Sequence, residues 1–438
     1  MCRENRYTCM LYAAVRPIAT VGLKYYFRRI DLANAERIPK NAAVILAANH
    51  PTTFIEPCVL ACFLEEPLNF LARGDFFKNK IAAKLLKGVH IIPVFRMRDA
   101  GYSGIKNNYE SFNRSFRVLS AKKHLMILAE GRCIHEKRLR PIRKGTARIA
   151  LGALDAADLE EVYIVPIGVN YTYADRLRSD IMINCGEPIL ASTYLEQYKD
   201  APSQAINKLT DEVRQRLSQE VIIIEQVEDE PLVENLLRLY RTQSGYPPKA
   251  EIGSSETQLR GEKAIADAIN QMPTEQKKEL SLATHDYFSR LERMRITDEA
   301  LMGKYKRSQK KTSSVLFGIF PALLALLFLL PPLLFSQWFS GVKMKTLEFG
   351  GPVRWASLLV SYLFYALFWA ILAAVLWSWI PLVLLLLGSV AVPWLIRYGE
   401  TARQWLLAWR TRRQNENEIK YVRELRKELI AQVEGFWQ

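Results

Sequence analysis

Trp355–Ile396 is a run of about forty residues without a charge, and it follows a shorter uncharged apolar run, Ser314–Phe335. A membrane-spanning helix needs ~20 apolar residues. The second run is therefore long enough to cross twice, and Trp379-Ile-Pro381 marks a break between its halves. Trp and Tyr near the run ends resemble an interfacial aromatic belt. A basic segment, Lys304–Lys311, precedes the first run, and Arg397, Arg403, Arg410, Arg412 and Arg413 follow the second. The positive-inside rule puts both flanks on the cytosolic side, which requires an even number of crossings. Hydropathy gives three segments, so two or three cross, and one of them is re-entrant or lies in the interface. The expectation is an integral membrane protein with the rest of the chain on the cytoplasmic face.

The rest of the 438-residue chain is different in kind. Overall it is 50% hydrophobic and 24% charged, which excludes both a disordered chain and a bare bundle of membrane helices. Residues 30–190 alternate short apolar strands with helical stretches. The strands are expected at Ala42–Ala47, Leu68–Ala72, Val89–Phe95, His124–Ala129, Tyr163–Tyr171 and Ile181–Cys185. That pattern implies an α/β fold with a mixed, largely parallel sheet covered by helices. Before it, residues 1–29 hold the apolar stretch Met10–Leu23, interrupted by Arg16 and followed by Lys24-Tyr-Tyr-Phe-Arg-Arg29, as in an interfacial helix. After it, residues 191–312 are helical and charged, broken by Pro202, Gly245-Tyr-Pro-Pro248 and Pro273. The transmembrane region spans 313–398, and 399–438 reads as a basic amphipathic tail helix ending in Phe436-Trp437.

The formal net charge of +15 suits an anionic membrane surface or a phosphorylated substrate. No nucleic-acid-binding module is recognisable, and much of the basic excess flanks the apolar runs. Six cysteines, at 2, 9, 58, 62, 133 and 185, form no C-x-x-C pair and no cluster with zinc-ligand spacing. They read as reduced thiols, and neither a metal nor a bound cofactor is expected.

The apolar run that begins at Val44 ends in Asn49-His50, and Glu56 follows the histidine. A strand end is where an α/β sheet presents catalytic groups. A histidine there, with a carboxylate to hold its second ring nitrogen, is a minimal general-base dyad.

Three further blocks follow in order. They are Gly88-Val-His-Ile-Ile-Pro93-Val-Phe-Arg96; Ala129-Glu130-Gly131-Arg132 with Arg138-Leu-Arg-Pro-Ile-Arg-Lys144-Gly145; and Ile164-Val-Pro166-Ile-Gly168-Val-Asn-Tyr171. With the His50 block they resemble the four blocks of the glycerolipid acyltransferase superfamily, which includes the glycerol-3-phosphate and lysophosphatidate acyltransferases. The resemblance covers roughly residues 30–190. Most of that family spaces its His and Asp one residue closer than His50 and Glu56. The wider spacing, with Phe54 and Pro57, is similar to a branch that includes the yeast endoplasmic-reticulum enzymes. Glu56 stands where that branch has Asp, and Arg132 stands where the family has a hydroxyl residue.

The resemblance implies an enzyme, an O-acyltransferase of phospholipid biosynthesis, with acyl-CoA or acyl carrier protein as donor. The acceptor is a phosphorylated glycerol or a lysolipid. His50 is the general base that takes the proton of the attacking hydroxyl, and Glu56 fixes its tautomer. No acyl-enzyme is required, so Cys58 need not act. Arg96, Glu130, Gly131 and Arg132 are the acceptor-binding positions. Arg73, at another strand end, lines the same cleft. Arg143 and Lys144, within the basic run from Arg138, either meet the phosphate or form a loop facing lipid headgroups. Glu130 orients the arginines, bonds an acceptor hydroxyl, or forms a structural ion pair. The alternative is a catalytically silent lipid-binding membrane protein with the same fold.

Overall fold

A computed structural model describes residues 2–94, 110–156, 159–174, 176–244, 251–305, 309–343 and 347–436. The chain opens with helix α1 (Cys2–Tyr26) and strand β1 (Arg29–Ala33), then β2 (Val44–Ala48), α2 (Ile55–Phe63), β3 (Leu68–Arg73), α3 (Lys80–Gly88) and β4 (Ile91–Val94). Helix α4 (110–120) leads to β5 (His124–Leu128), α5 (Gly145–Ala156), β6 (Tyr163–Tyr171), β7 (Asp180–Cys185) and β8 (Ile189–Leu190). Helices α6 (Leu195–Asp200) and α7 (Pro202–Gln219) follow, and β9 (Glu251–Gly253) returns to the same sheet.

The sheet has nine strands among the described residues, in the order β4-β3-β5-β2-β6-β7-β1-β9, with β8 beside β6. Only β6–β7 and β6–β8 pair antiparallel; every other neighbour is parallel. This is the mixed, largely parallel sheet expected from the sequence. β2 is central and buried at every position, because helices cover both faces. Ile45 and Ala47 of β2 share one apolar core with Leu125, Ile127, Ala150, Leu151, Leu209 and Val213.

Two of those core residues, Leu209 and Val213, belong to α7, so the chain beyond residue 190 is not a separate module at that point. The first compact unit runs on to Ile222 and recruits the β9 segment. Gly168 of β6 faces the backbone of Glu220, where an added Cβ would lie 2.0 Å from the carbonyl oxygen. Only glycine permits that approach. Strand β1 lies outside the strands expected from the sequence: its Arg29 and Asp31 break the apolar pattern, yet Asp31 is buried and pairs with Arg29 at 2.6 Å.

The second unit begins at Ile223 and is helical. Arg426 of the helix Glu416–Val433 donates to both carboxylate oxygens of Asp298, in the short helix Asp298–Leu301, at 2.7 and 3.1 Å. Tyr287 donates to the same carboxylate. The tail helix is thus bound to protein by a buried ion pair and by Val422, Leu429 and Val433, not laid on a surface by itself. Its expected start at 399 also falls inside a longer helix, Ile380–Arg412.

Among the described residues, three helices are long and apolar enough to cross a membrane: Thr312–Gly341, Phe349–Val375 and Ile380–Arg412. The first and third run antiparallel. Tyr398 donates to the carbonyl of Val315 at 2.8 Å, and Trp405 to the hydroxyl of Thr312 at 3.0 Å. Gly388 packs against the ring of Phe328. The pairing sets Thr312 and Trp405 at one end of the pair.

Candidate active site

Parallel register aligns the carboxyl ends of β2, β5 and β6, with Ala48 opposite Leu128 and Ile167. Asn49 then leaves β2 and clamps it to β6. Its Nδ2 donates to the Val169 carbonyl at 2.9 Å and its Oδ1 accepts the Val169 amide at 2.7 Å. His50 follows directly and is buried.

The third block closes around it. The Ala129 amide donates to the Ala48 carbonyl at 2.8 Å, extending the β2–β5 ladder past the strand ends. Glu130 Oε2 accepts the backbone amide of His50 at 2.8 Å, and Oε1 accepts that of Arg140 at 2.8 Å. The His50 carbonyl in turn accepts the amide of Ile134 at 3.2 Å. Gly131 is left-handed at φ 69°, and a Cβ there would sit 3.2 Å from Cγ of Arg143. Burial raises the pKa of Glu130, against the opposing effect of the two amides and the Arg140 charge. Of the roles open to Glu130, this geometry makes it a tie between the first and third blocks through backbone amides.

Glu56 sits in the first turn of α2, fully buried. Its Oε1 accepts the amide of Thr52 at 2.5 Å, and its Oε2 is buried without a hydrogen-bond partner. Burial pushes its pKa up to about 8, despite the amide bonds that favour the ionised form. The carboxylate that spacing assigns to the histidine ring holds the turn that joins them. Tyr171, at the end of β6, stands beside Glu56 and Thr52 with its hydroxyl buried. Burial pushes the Cys58 thiol up to about 12, so it is not a thiolate near neutrality.

The basic residues divide. Arg73, at the end of β3, is exposed and turned onto Asp75, with contacts of 2.7 and 3.2 Å. Arg140 holds Glu136 in a forked pair at 3.0 and 3.1 Å. Arg132, Arg143 and Lys144 are exposed on the loop that Glu130 and Gly131 anchor. Arg96 lies outside the described residues. The structure therefore brings His50, Glu56, Glu130 and Gly131 together, sets Arg132, Arg143 and Lys144 on the adjoining loop, and commits Arg73 to a local carboxylate. Among the described residues no group of His, Cys, Asp and Glu could hold a metal.

Sequence reasoning passed over Asn49, Thr52 and Tyr171. The signal for Asn49 was present: a carboxamide directly after five apolar residues must find buried partners or leave the sheet.

Residues 29–170 match the family model described as Acyltransferase. Over 112 residues the chain is 35% identical to glycerol-3-phosphate O-acyltransferase 2 of Saccharomyces cerevisiae, covering 25% of this chain and 15% of that protein. It is 28% identical over 135 residues to glycerol-3-phosphate O-acyltransferase 1 of the same yeast, covering 30% and 18%. The matches thus span less than a fifth of these relatives. Among solved structures, the 1-acyl-sn-glycerophosphate (LPA) acyltransferase of Thermotoga maritima is similar at 14% identity and a TM-score of 0.36, covering 50% of this chain and 83% of that one. The family match falls on the segment that carries the four blocks and the His50 corner, and with the yeast relatives it supports the glycerolipid acyltransferase superfamily for the α/β domain.

Proposed function

We propose that the chain is a membrane-bound O-acyltransferase that esterifies glycerol-3-phosphate or a lysophospholipid. The observation that carries this reading is His50 at the carboxyl end of β2, held by Glu130 beside the basic third-block loop. In the reaction, the acceptor hydroxyl attacks the thioester carbonyl of acyl-CoA or acyl-carrier protein. His50 takes the hydroxyl proton as the new C–O bond forms. The C–S bond then breaks, and the thiolate leaves with the proton that His50 returns. No covalent acyl-enzyme intervenes, in keeping with a Cys58 thiol that burial keeps protonated. Glu56 stabilises the imidazolium, and the charge it meets there favours its ionised form against the burial that raises its pKa.

Arg96, Arg132, Arg143 and Lys144 supply cationic donors for the acceptor phosphate. The three long apolar helices support a bilayer location, where the acyl products reside. Basic residues in the sequence on both flanks of the apolar region support a cytoplasmic α/β domain by the positive-inside rule.

The test is an assay of the full chain with labelled acyl-CoA or acyl-carrier protein and a panel of acceptors. His50→Ala should abolish transfer, and unchanged activity would remove the base assignment. Substitution of Arg96 or Arg132 should raise the acceptor KM and leave the donor KM alone. A second reading, a silent lipid-binding protein, is favoured by the bond from the Thr52 amide to Glu56. Transfer by the wild-type chain to any acceptor in the panel excludes it.

A further inference from the structure

Helix α3 carries its apolar stripe on the outside. Ile81 and Leu85, one turn apart, are 72% and 49% exposed, and Phe76 in the turn before them is 48% exposed. Lys78, Lys80, Lys84 and Lys87 flank these residues and are all exposed. Asp75, in the turn before the helix, is paired with Arg73. Asn79 caps the helix by accepting the amides of Ile81 and Ala82, so the stripe is held in register rather than frayed. Helix α1 packs against α3, and the Tyr12 ring stacks on His90 just beyond it at 4.6 Å. α1 likewise exposes Met10, Val15, Ile18 and Val21, followed by exposed Lys24. The sequence singles out α1 as interfacial; it gives no such reading for α3.

We propose that α3 is a bilayer-docking face for anionic lipid, with Phe76, Ile81 and Leu85 at the acyl boundary and the four lysines on lipid phosphates. The occupant follows from composition. An apolar stripe edged by lysines is the pattern of a helix lying in a headgroup layer, where the ammonium groups snorkel outward. A second copy of the same face would oppose four lysines with four, which disfavours a symmetric pairing. The face follows directly on β3, whose carboxyl end lies at the same edge of the sheet as the His50 corner, so docking would hold the cleft at the lipid surface. The inference rests on the membrane reading and not on the chemistry of His50.

The experiment uses the full chain in proteoliposomes. An environment-sensitive fluorophore is placed on Ile81→Cys, and the parent chain, labelled identically, gives the background. A second label on Phe364→Cys, in the helix Phe349–Val375, reports membrane integration through quenching by lipids spin-labelled deep in the acyl chain. Docking predicts that the position-81 label is quenched by lipids spin-labelled near the headgroup in vesicles containing phosphatidylglycerol. Raising salt or using phosphatidylcholine alone should weaken the quenching. Replacing the lysines by Gln should lower the docked-to-undocked ratio about fivefold per lysine at low ionic strength. Quenching at 364 with none at 81 overturns the docking face and leaves the membrane reading standing. Quenching at neither position overturns both. A position-81 label that ignores lipid but responds to added acyl carrier protein assigns the face to an acidic protein and overturns the lipid proposal.

Discussion

Glu130 reaches across from the end of β5 to accept the backbone amide of His50 at 2.8 Å, and its other oxygen holds the amide of Arg140. One carboxylate therefore ties His50 to Arg140 in the basic run. Glu130→Ala leaves two amides unpaired near the site. The expected cost is roughly 3–6 kcal/mol of stability, since bonds to a charged group are worth about 1.5–3 kcal/mol each. Displacing the base should lower kcat by about 100-fold. Glu130→Gln can accept only one of the two amides and should fall between. Thermal unfolding and steady-state kinetics of the three proteins check this, and a Glu130→Ala enzyme with normal kcat would show that the tie is dispensable.

Glu56 gives a pH signature. Its folded pKa is raised from 4.5 to about 8, so between those values the folded state binds more protons than the unfolded state. Stability is then fullest at low pH and declines as pH rises through that window. Glu56→Gln removes the dependence. The gap between variant and wild type should be small near pH 4.5 and widen to the order of 3–5 kcal/mol toward pH 8. Melting temperatures across the series test the sign: a gap that narrows as pH rises contradicts the burial argument.

How far the sequence discloses this architecture depends on where each residue's partners lie. β6 has the bounds its apolar run suggests, Tyr163–Tyr171, because a long buried strand needs no special partner to be recognised. β1 is hidden by Arg29 and Asp31, whose pairing neutralises their charges, and its neighbours β7 and β9 are far away in the chain. β8 and β9 are too short for any periodicity to register. At the site, spacing brings out His50 and Glu56 but not the Thr52 amide bonded to Glu56, since every residue type presents the same backbone donor. Arg73 reads as a cleft residue from its strand end; a nearby Asp75 then claims its guanidinium.

Cys58 should be chemically silent. Burial is the main cause of its raised pKa, with the charges of Cys62 and Glu56 adding to it. A thiol held near 12 exposes almost no thiolate to an alkylating reagent at neutral pH. Cys58→Ser should retain near-wild-type transfer, and iodoacetamide should not inactivate the enzyme through this position. Loss of activity on its alkylation, confirmed by peptide mass, would contradict both expectations.

Asn49 offers a sharper test of how β2 aims the histidine. Its carboxamide both donates to and accepts from Val169, so neither group of that buried peptide is left open. Asn49→Leu strands a buried N–H and a buried C=O, at about 1–3 kcal/mol each. Asn49→Asp is more informative. Its oxygen can still accept the Val169 amide, but only the protonated acid can donate to the carbonyl. The folded state therefore prefers the neutral form, the pKa of the new acid is raised, and stability falls as pH rises through that pKa. If the clamp also sets the direction of His50, the aspartate variant should lose transfer activity over the same pH range in which it loses stability, while the leucine variant is impaired at every pH. A pH-independent Asn49→Asp protein would mean that β6 does not need the donor, and that the chain leaving β2 is directed by Glu130 alone.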